Sequence, residues 1–223
     1  RAFNYIYNIY ICIYIFMKKC LIEVGAFDGK DSLEYHKNGF NVYTFEPNKT
    51  LFLDLFEKTK NIENYNVFNK AVCSFNGKTT FNICKRGGAS SILKFKDNET
   101  LEKHWGKDRT DIHYSGESYE VETTRLDTFI EEQGLENTII DFIHIDAQGI
   151  DLECLKSVGK YIKNIVEGVV ETVKNKDKSI YIEQNENTLV NIEQFLIEND
   201  FEIINVVKND HTECEFNVYF KKK

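Results

Sequence analysis

The sequence predicts a doubly wound α/β fold built on a mostly parallel sheet, and three observations predict it. Short apolar runs alternate with amphipathic segments at helical spacing through most of the chain. The first such run ends in a glycine-containing turn that opens a helix. Two strand-like runs, separated only by a polar turn, close the chain.

The elements follow in order. Residues 20–24 (CLIEV) read as a buried strand ending at Gly25. Residues 31–38 carry Leu33 and Tyr35 and stop before Gly39, a short helix with a glycine stop signal. Residues 41–45 (NVYTF) form a second strand, and Pro47 marks a helix start, where its missing N–H costs nothing. Leu51, Leu55 and Phe56 give that helix an apolar face. Residues 65–72 read as one strand that returns as residues 78–83 through a hairpin turn at Asn76–Gly77. The polar stretch from Cys84 to Glu120 lacks clear periodicity and reads as a long functional loop. Residues 119–123 look extended, and Asp127 caps a short helix running to Gln133. Residues 139–145 (IIDFIHI) are strongly strand-like, with Asp146 at their end and a helix over residues 150–158. Residues 165–173 are a strand of the parallel type, residues 187–199 an amphipathic helix, and residues 201–207 and 215–220 the closing strands. No linker or internal repeat divides the chain, so residues 17–223 read as one domain.

The 223 residues, 42% of them hydrophobic, suffice for one good-sized core. The formal net charge of -8 argues against nonspecific nucleic-acid binding, which needs clustered Lys and Arg. Six scattered cysteines form no CxxC pair and no zinc spacing. They read as reduced, mostly buried thiols, which points to a reducing, cytoplasmic compartment.

Residues 1–16 (RAFNYIYNIYICIYIF) stand apart as an apolar extension. They are too short for a transmembrane helix and lack the small-residue cleavage site of a signal peptide. A β-prone extension is a third reading. A fourth places the native start at Met17, the sole methionine, directly before the first strand.

The segment 21–32 (LIEVGAFDGKDS) combines a strand, a turn at Gly25 and Gly29, and a helix N-terminus suited to a negatively charged group. Glu46 ends the second strand, where an acidic residue can accept hydrogen bonds from both hydroxyls of a ribose. The complete GxGxxG fingerprint of pyrophosphate-binding turns is absent; the sequence is GAFDG.

Six motifs, in order, resemble the FkbM-type methyltransferases over about Leu21 to Thr172. IEVGAFDG is similar to that family's D-V-G-A-N-x-G segment, with Phe27–Asp28 where Asn and a variable residue are usual. VYTFEP resembles V-x-A-F-E-P, KAV with the following NG resembles A-V-x-x-x-x-G, and Ser90–Ser91 fits a serine pair. TTRLDTFI and FIHIDAQGIDLECLKS resemble the R-L-D and K-I-D-x-x-G-x-E stretches, with His144 in place of Lys and Asp151 in place of Glu. The resemblance implies a Rossmann-like class I fold: a seven-stranded, mostly parallel, doubly wound sheet with an antiparallel terminal strand. It implies S-adenosyl-L-methionine as cofactor, a donor without phosphates for which the looser turn suffices. It further implies that Glu23, Gly25 and Gly29 surround the methionine end, Glu46 holds the ribose, and Ala71 and Val72 lie near the adenine. The acceptor it implies is a hydroxyl on a sugar, a glycan or a glycosylated small molecule. A nitrogen, lipid or peptide acceptor and a catalytically silent cofactor-binding scaffold are the alternatives. The missing glycine fingerprint disfavours a nicotinamide oxidoreductase.

A hydroxyl acceptor must lose its proton, which calls for a carboxylate or a histidine. Asp146 is the first candidate, with capping of the following helix as its structural alternative. His144 precedes it by two residues and projects to the same strand face, with a core histidine as the alternative. His36, His104 and His113 are further candidates. Ser90, Ser91 and Glu171 are candidates for the acceptor side, and Trp105 or Tyr114 for stacking on a sugar ring. Asp146 and Glu171 have the chemistry to share a divalent ion, but nothing in the sequence requires a metal.

Overall fold

In the computed structural model, residues 19–182, 186–209 and 213–223 are described. The readings of residues 1–16 as an extension and of Met17 as the native start lie outside them.

Among the described residues, ten strands form two sheets. The larger contains β1 (Lys19–Val24), β2 (Phe40–Phe45), β3 (Tyr65–Phe68), β7 (Ile140–Ile145), β8 (Ile165–Val173), β9 (Phe201–Lys208) and β10 (Glu215–Lys222). Its order is β3-β2-β1-β7-β8-β10-β9. Only β10 runs against the rest, pairing antiparallel with both β8 and β9. The sheet is therefore seven-stranded and mostly parallel, with an antiparallel strand inserted near its end.

Helices cover both faces. Leu33 and Tyr35 of α1 (Lys30–Lys37) and Leu55 of α2 (Lys49–Thr59) pack on Leu21 and Val42. On the other face, α4 (Leu126–Glu132), α5 (Asp151–Lys156) and α6 (Leu189–Glu198) cover Ile22, Val24, Ile143 and Ile145. The central strands are buried on both sides, which is why they read as near-continuous apolar runs.

Strand order reverses between β1 and β7, the topological switch point where open α/β sheets place ligands. Glu23 pairs with His144 and Val24 with Ile145 in that register, so Gly25 and Asp146 emerge side by side. Gly25 has φ +87, and a Cβ there would stand 2.0 Å from the Asp146 carbonyl oxygen. Gly25→Ala is therefore expected to cost about 1–3 kcal/mol of stability through backbone strain. Denaturant unfolding measures it, and an unchanged midpoint would refute the close approach.

The structure departs from the sequence reading at several places. Residues 65–72 are not one strand. Asn69 donates to the carbonyls of Glu46 and Pro47, and the chain leaves the main sheet there. Ala71–Val72 (β4) then joins a second sheet with β5 (Gly77–Cys84) and β6 (Tyr114–Thr124), in the order β4-β6-β5. Asn76–Gly77 makes no hairpin with β4, because β5 pairs antiparallel with the distant β6. The Asn76 side chain instead accepts from Arg125 N and donates to Thr128 Oγ1.

The stretch from Cys84 to Glu120 contains α3 (Asn98–Trp105) and most of β6. Leu101 and Trp105, one helical turn apart, anchor α3 in a second core with Cys84, Ile112, Ile180, Tyr181 and Cys214. Helix α2 starts at Lys49 with Asn48 as its cap, so Pro47 precedes the cap. Helix α4 is preceded by Arg125 at its cap position; Asp127 sits in its first turn and pairs with Arg125. Lys208, expected in the polar turn between the closing strands, belongs to β9, and residues 210–212 of that turn lie outside the described ones.

Candidate active site

A cavity of about 300 Å³ opens at the switch point. The β1–α1 turn supplies Gly25 to Asp28, and Asp31 follows on the first turn of α1. Glu46 and Pro47 come from the end of β2, Ala71 and Val72 from β4, and His144 and Asp146 from the end of β7. The Gly87–Gly88 turn and Ser90 close the far side. Five carboxylates, Glu23, Asp28, Asp31, Glu46 and Asp146, face it, against Lys70 and His144 as the basic groups.

Glu46 is buried, and two backbone N–H groups fix it. Phe27 N donates to Oε2 and Asn48 N to Oε1, each at 2.7 Å. Each carboxylate oxygen keeps a second acceptor site for a ligand hydroxyl. Burial pushes the Glu46 pKa up to about 7; the two N–H groups oppose that, and the charges of Glu23 and Asp146 add to it.

Glu23 is also buried and accepts from the Thr44 hydroxyl. His144 Nδ1 lies 3.7 Å from Glu23 Oε1. Burial works against the imidazolium, but the hydrogen bond and charge of Glu23, with Asp146 behind them, hold the His144 pKa above its ordinary value. An imidazolium has no free lone pair, so this environment favours a charged partner for Glu23 over a proton acceptor.

Asp146 does not cap α5. No side chain bonds at its cap position, Ile150; Asn187 Oδ1 accepts from Leu152 N, and the fully buried Asp151 accepts from Ala147 N, Gly149 N and the Asn187 amide in the turn before the helix. The Asp146 carboxylate receives Nε2 of Gln148, which also donates to Glu171 Oε2 at 3.1 Å. Gln148 has the left-handed φ of +54 and is held from two further directions. Ser91 Oγ donates to its carbonyl at 2.7 Å. The Tyr181 hydroxyl lies 2.9 Å from its Oε1 and 2.6 Å from Ala89 O, with one hydrogen to give. Asn209 donates to the other oxygen of Glu171. Asp146, Asp151 and Glu171 place oxygens within 4.8 Å of one another, and the amide groups just named are interleaved with them. Burial, then the charges of Asp146, Glu215 and Asp151, hold the Glu171 carboxyl well above the usual range.

A second cavity of about 330 Å³ adjoins the first. Phe27, Gly88, Asp146 and Gln148 line both. Its own walls include Arg86, Trp105, Arg109, Glu171 and Asn209. The Arg109 guanidinium sits over the Trp105 ring at 5.4 Å and pairs with Asp111.

Of the residues singled out in the sequence, the structure gathers Glu23, Gly25, Glu46, Ala71, Val72, Ser90, His144 and Asp146 around the first cavity and Glu171 around the second. Two stand elsewhere. Gly29 turns toward Leu55 and Tyr65, where a Cβ would come within 2.3 Å of Leu55 Cδ1. Ser91 ties its loop to Gln148 and lines neither cavity. His36, His104 and His113 also line neither. Sequence reasoning missed Gln148, Phe27, Arg86 and Arg109. For Gln148 a signal existed: it lies between Asp146 and Gly149 in a turn too tight for ordinary backbone angles.

A family description, the methyltransferase FkbM domain, matches residues 23–215. No curated protein matches the chain. Among solved structures, the bifunctional kinase-methyltransferase WbdD is similar at a TM-score of 0.52 and 7% identity, over 95% of this chain and 36% of that one. TrmK of M. capricolum, in complex with S-adenosyl-homocysteine, is similar at a TM-score of 0.49 and 7% identity, over 92% of this chain and 62% of that one. Fibrillarin of Aeropyrum pernix, with natively bound S-adenosyl-L-methionine, is similar at a TM-score of 0.46 and 11% identity, over 91% and 66%. The chain thus spans between about a third and two thirds of the length of these three. At such identities the likeness concerns the fold.

Proposed function

The chain belongs to the methyltransferase FkbM domain family, and from that premise we propose that it transfers a methyl group from S-adenosylmethionine to a hydroxyl oxygen of a sugar, a glycan or a glycosylated small molecule. The observation that carries the donor reading is the charge of the first cavity. Five carboxylates against Lys70 and His144 suit a sulfonium nucleoside, which carries positive charge, and repel a pyrophosphate. The residues present fit such a donor: Glu46 retains acceptor capacity for a ribose, and Ala71 and Val72 offer apolar surface for a base.

The sulfonium supplies the electrophilic methyl group when bound. The chain's own residues align the two partners and handle one proton. In our reading Asp146, on the wall common to both cavities, takes the proton from the acceptor hydroxyl as its oxygen bonds to the methyl carbon. Glu23, Gly25 and Glu46 would hold the donor, whose sulfur would keep the electron pair of the broken carbon–sulfur bond and become neutral. Gln148 orients Asp146, and Glu171 lies on the acceptor side. Support for a sugar acceptor comes from the second cavity, which Arg86, Arg109, Asn209 and Glu171 line together with Trp105. Among the described residues no helix is long and apolar enough to cross a membrane.

Calorimetry with S-adenosylhomocysteine and with NAD tests the donor reading. Binding of the first and not the second is expected, and the reverse would defeat it. Methyl transfer from labelled donor onto a panel of sugars, amines, lipids and peptides tests the acceptor; label on amines alone would overturn the hydroxyl assignment.

A charged hydrogen bond contributes roughly 1.5–3 kcal/mol, so Glu46→Ala should weaken binding of S-adenosylhomocysteine by about 10- to 100-fold. Because the Glu46 pKa stands near 7, wild-type affinity should also fall as pH drops from about 8 to about 6, when the carboxylate gains a proton and loses acceptor capacity. Glu23, Asp146 and His144 face the same cavity, so Glu46→Gln is the control. A pH slope that survives in Glu46→Gln would assign the titration to another group.

A further inference from the structure

Phe27 stands where the two cavities meet. It lines both, and 42% of its surface is exposed despite its apolar side chain. Its backbone adopts φ +50, a left-handed angle that side-chain-bearing residues rarely take. The Phe27 N–H to Glu46 Oε2 bond holds it there. Its ring lies over the Gly87–Gly88 turn: a Cβ at Gly88 would stand 3.6 Å from Phe27 Cε2 and one at Gly87 3.9 Å. A strained backbone that presents an exposed ring at the junction of two cavities calls for a role beyond packing.

We propose that the Phe27 ring recognises the positive charge of the methyl donor and so distinguishes the donor from its spent product. The inference rests on the donor reading above. A methyl group passing from the first cavity to the second must cross their common boundary, so the sulfonium belongs at that boundary. Phe27 supplies the one aromatic face among its four shared lining residues. A cation over a phenyl face is attracted by the ring quadrupole, and the neutral thioether of the product is not. Asp146 shares the boundary and also favours the cation, so the test must vary the ring and leave that carboxylate in place.

Calorimetry of the full chain with S-adenosylmethionine and with S-adenosylhomocysteine supplies the readout, and no acceptor is needed. Phe27→Leu keeps an apolar side chain, and Phe27→Asn suits the left-handed backbone, so the two fail to fold for different reasons if at all. Both should weaken S-adenosylmethionine about 3- to 30-fold more than S-adenosylhomocysteine, the range expected of a partly desolvated cation–π contact. Phe27→Tyr, which keeps a ring, should restore the wild-type ratio. Equal weakening of both ligands in folded Phe27→Leu or Phe27→Asn, or a Phe27→Tyr ratio like that of Phe27→Leu, overturns the proposal. Failure of the folded wild-type chain to bind either ligand would instead defeat the donor reading on which it rests.

Discussion

Asp151→Ala is expected to lower folding stability by about 3–5 kcal/mol. The carboxylate is fully buried and accepts from Ala147 N, Gly149 N and the Asn187 amide. Those bonds shape the turn between Asp146 and α5. Alanine removes the shared acceptor and leaves a cavity, while relieving the cost of a buried charge; the lost bonds outweigh the relief. For a chain of this size the loss corresponds to a melting temperature lower by roughly 10 °C. Burial, then the Asp146 charge, pushes the Asp151 pKa up to about 7, against the pull of the Ala147 and Gly149 N–H groups. An aspartate in an unfolded chain titrates near about 4. Between those values the folded state binds the extra proton, so the contribution of this group is full below about pH 4 and is lost as pH rises through about 7. Asp151→Ala should therefore flatten part of the decline in wild-type stability over that window. Urea unfolding at several pH values measures both effects. A loss under about 1 kcal/mol with an unchanged pH slope would show that the turn does not depend on this carboxylate.

Asp146→Asn is expected to reduce methyl transfer by roughly 10²- to 10⁴-fold, the usual contribution of a general base. The amide keeps an oxygen to accept from Gln148 Nε2, so the local geometry has reason to survive. Affinity for S-adenosylhomocysteine should change little, because that ligand carries no sulfonium charge to lose. Turnover and binding together separate the roles. A large drop in melting temperature with near-normal turnover would assign Asp146 to structure and leave the proton to another group. His144 is the weaker candidate for it, because the charge of Glu23 favours its protonated form.

The positions legible in the sequence share one property: their signals are local. Gly25 follows an apolar run, Glu46 and Asp146 end such runs, and each lies within a few residues of the turn that positions it. Parallel strands buried on both faces announce themselves by composition, and the helices between them by period. These cues sufficed for the alternation of elements and for most of the first cavity.

The second sheet was not legible. Strand β4 is two residues long and pairs with a segment about fifty residues away, so neither its length nor its partner leaves a periodic trace. The hairpin expected at Asn76–Gly77 failed for a related reason. Its turn chemistry is correct, but the Asn76 side chain is committed to Arg125 and Thr128, and the better partner for β5 lies in β6. Gly29 and Ser91 carry plausible residue types on the right segments, yet orientation turned them toward Leu55 and Gln148.

By itself the sequence determined the doubly wound core, the turn after β1 and the acidic residues that end β2 and β7, because strand, turn and helix chemistry acts over a few neighbouring residues. Tertiary contacts settled which of those residues share a cavity, that Asp151 and not Asp146 holds the turn before α5, and that Gln148 and Phe27 occupy the wall between two cavities. Those outcomes depend on contacts between segments distant in the chain, whose free energy appears only once the sheet order brings them together.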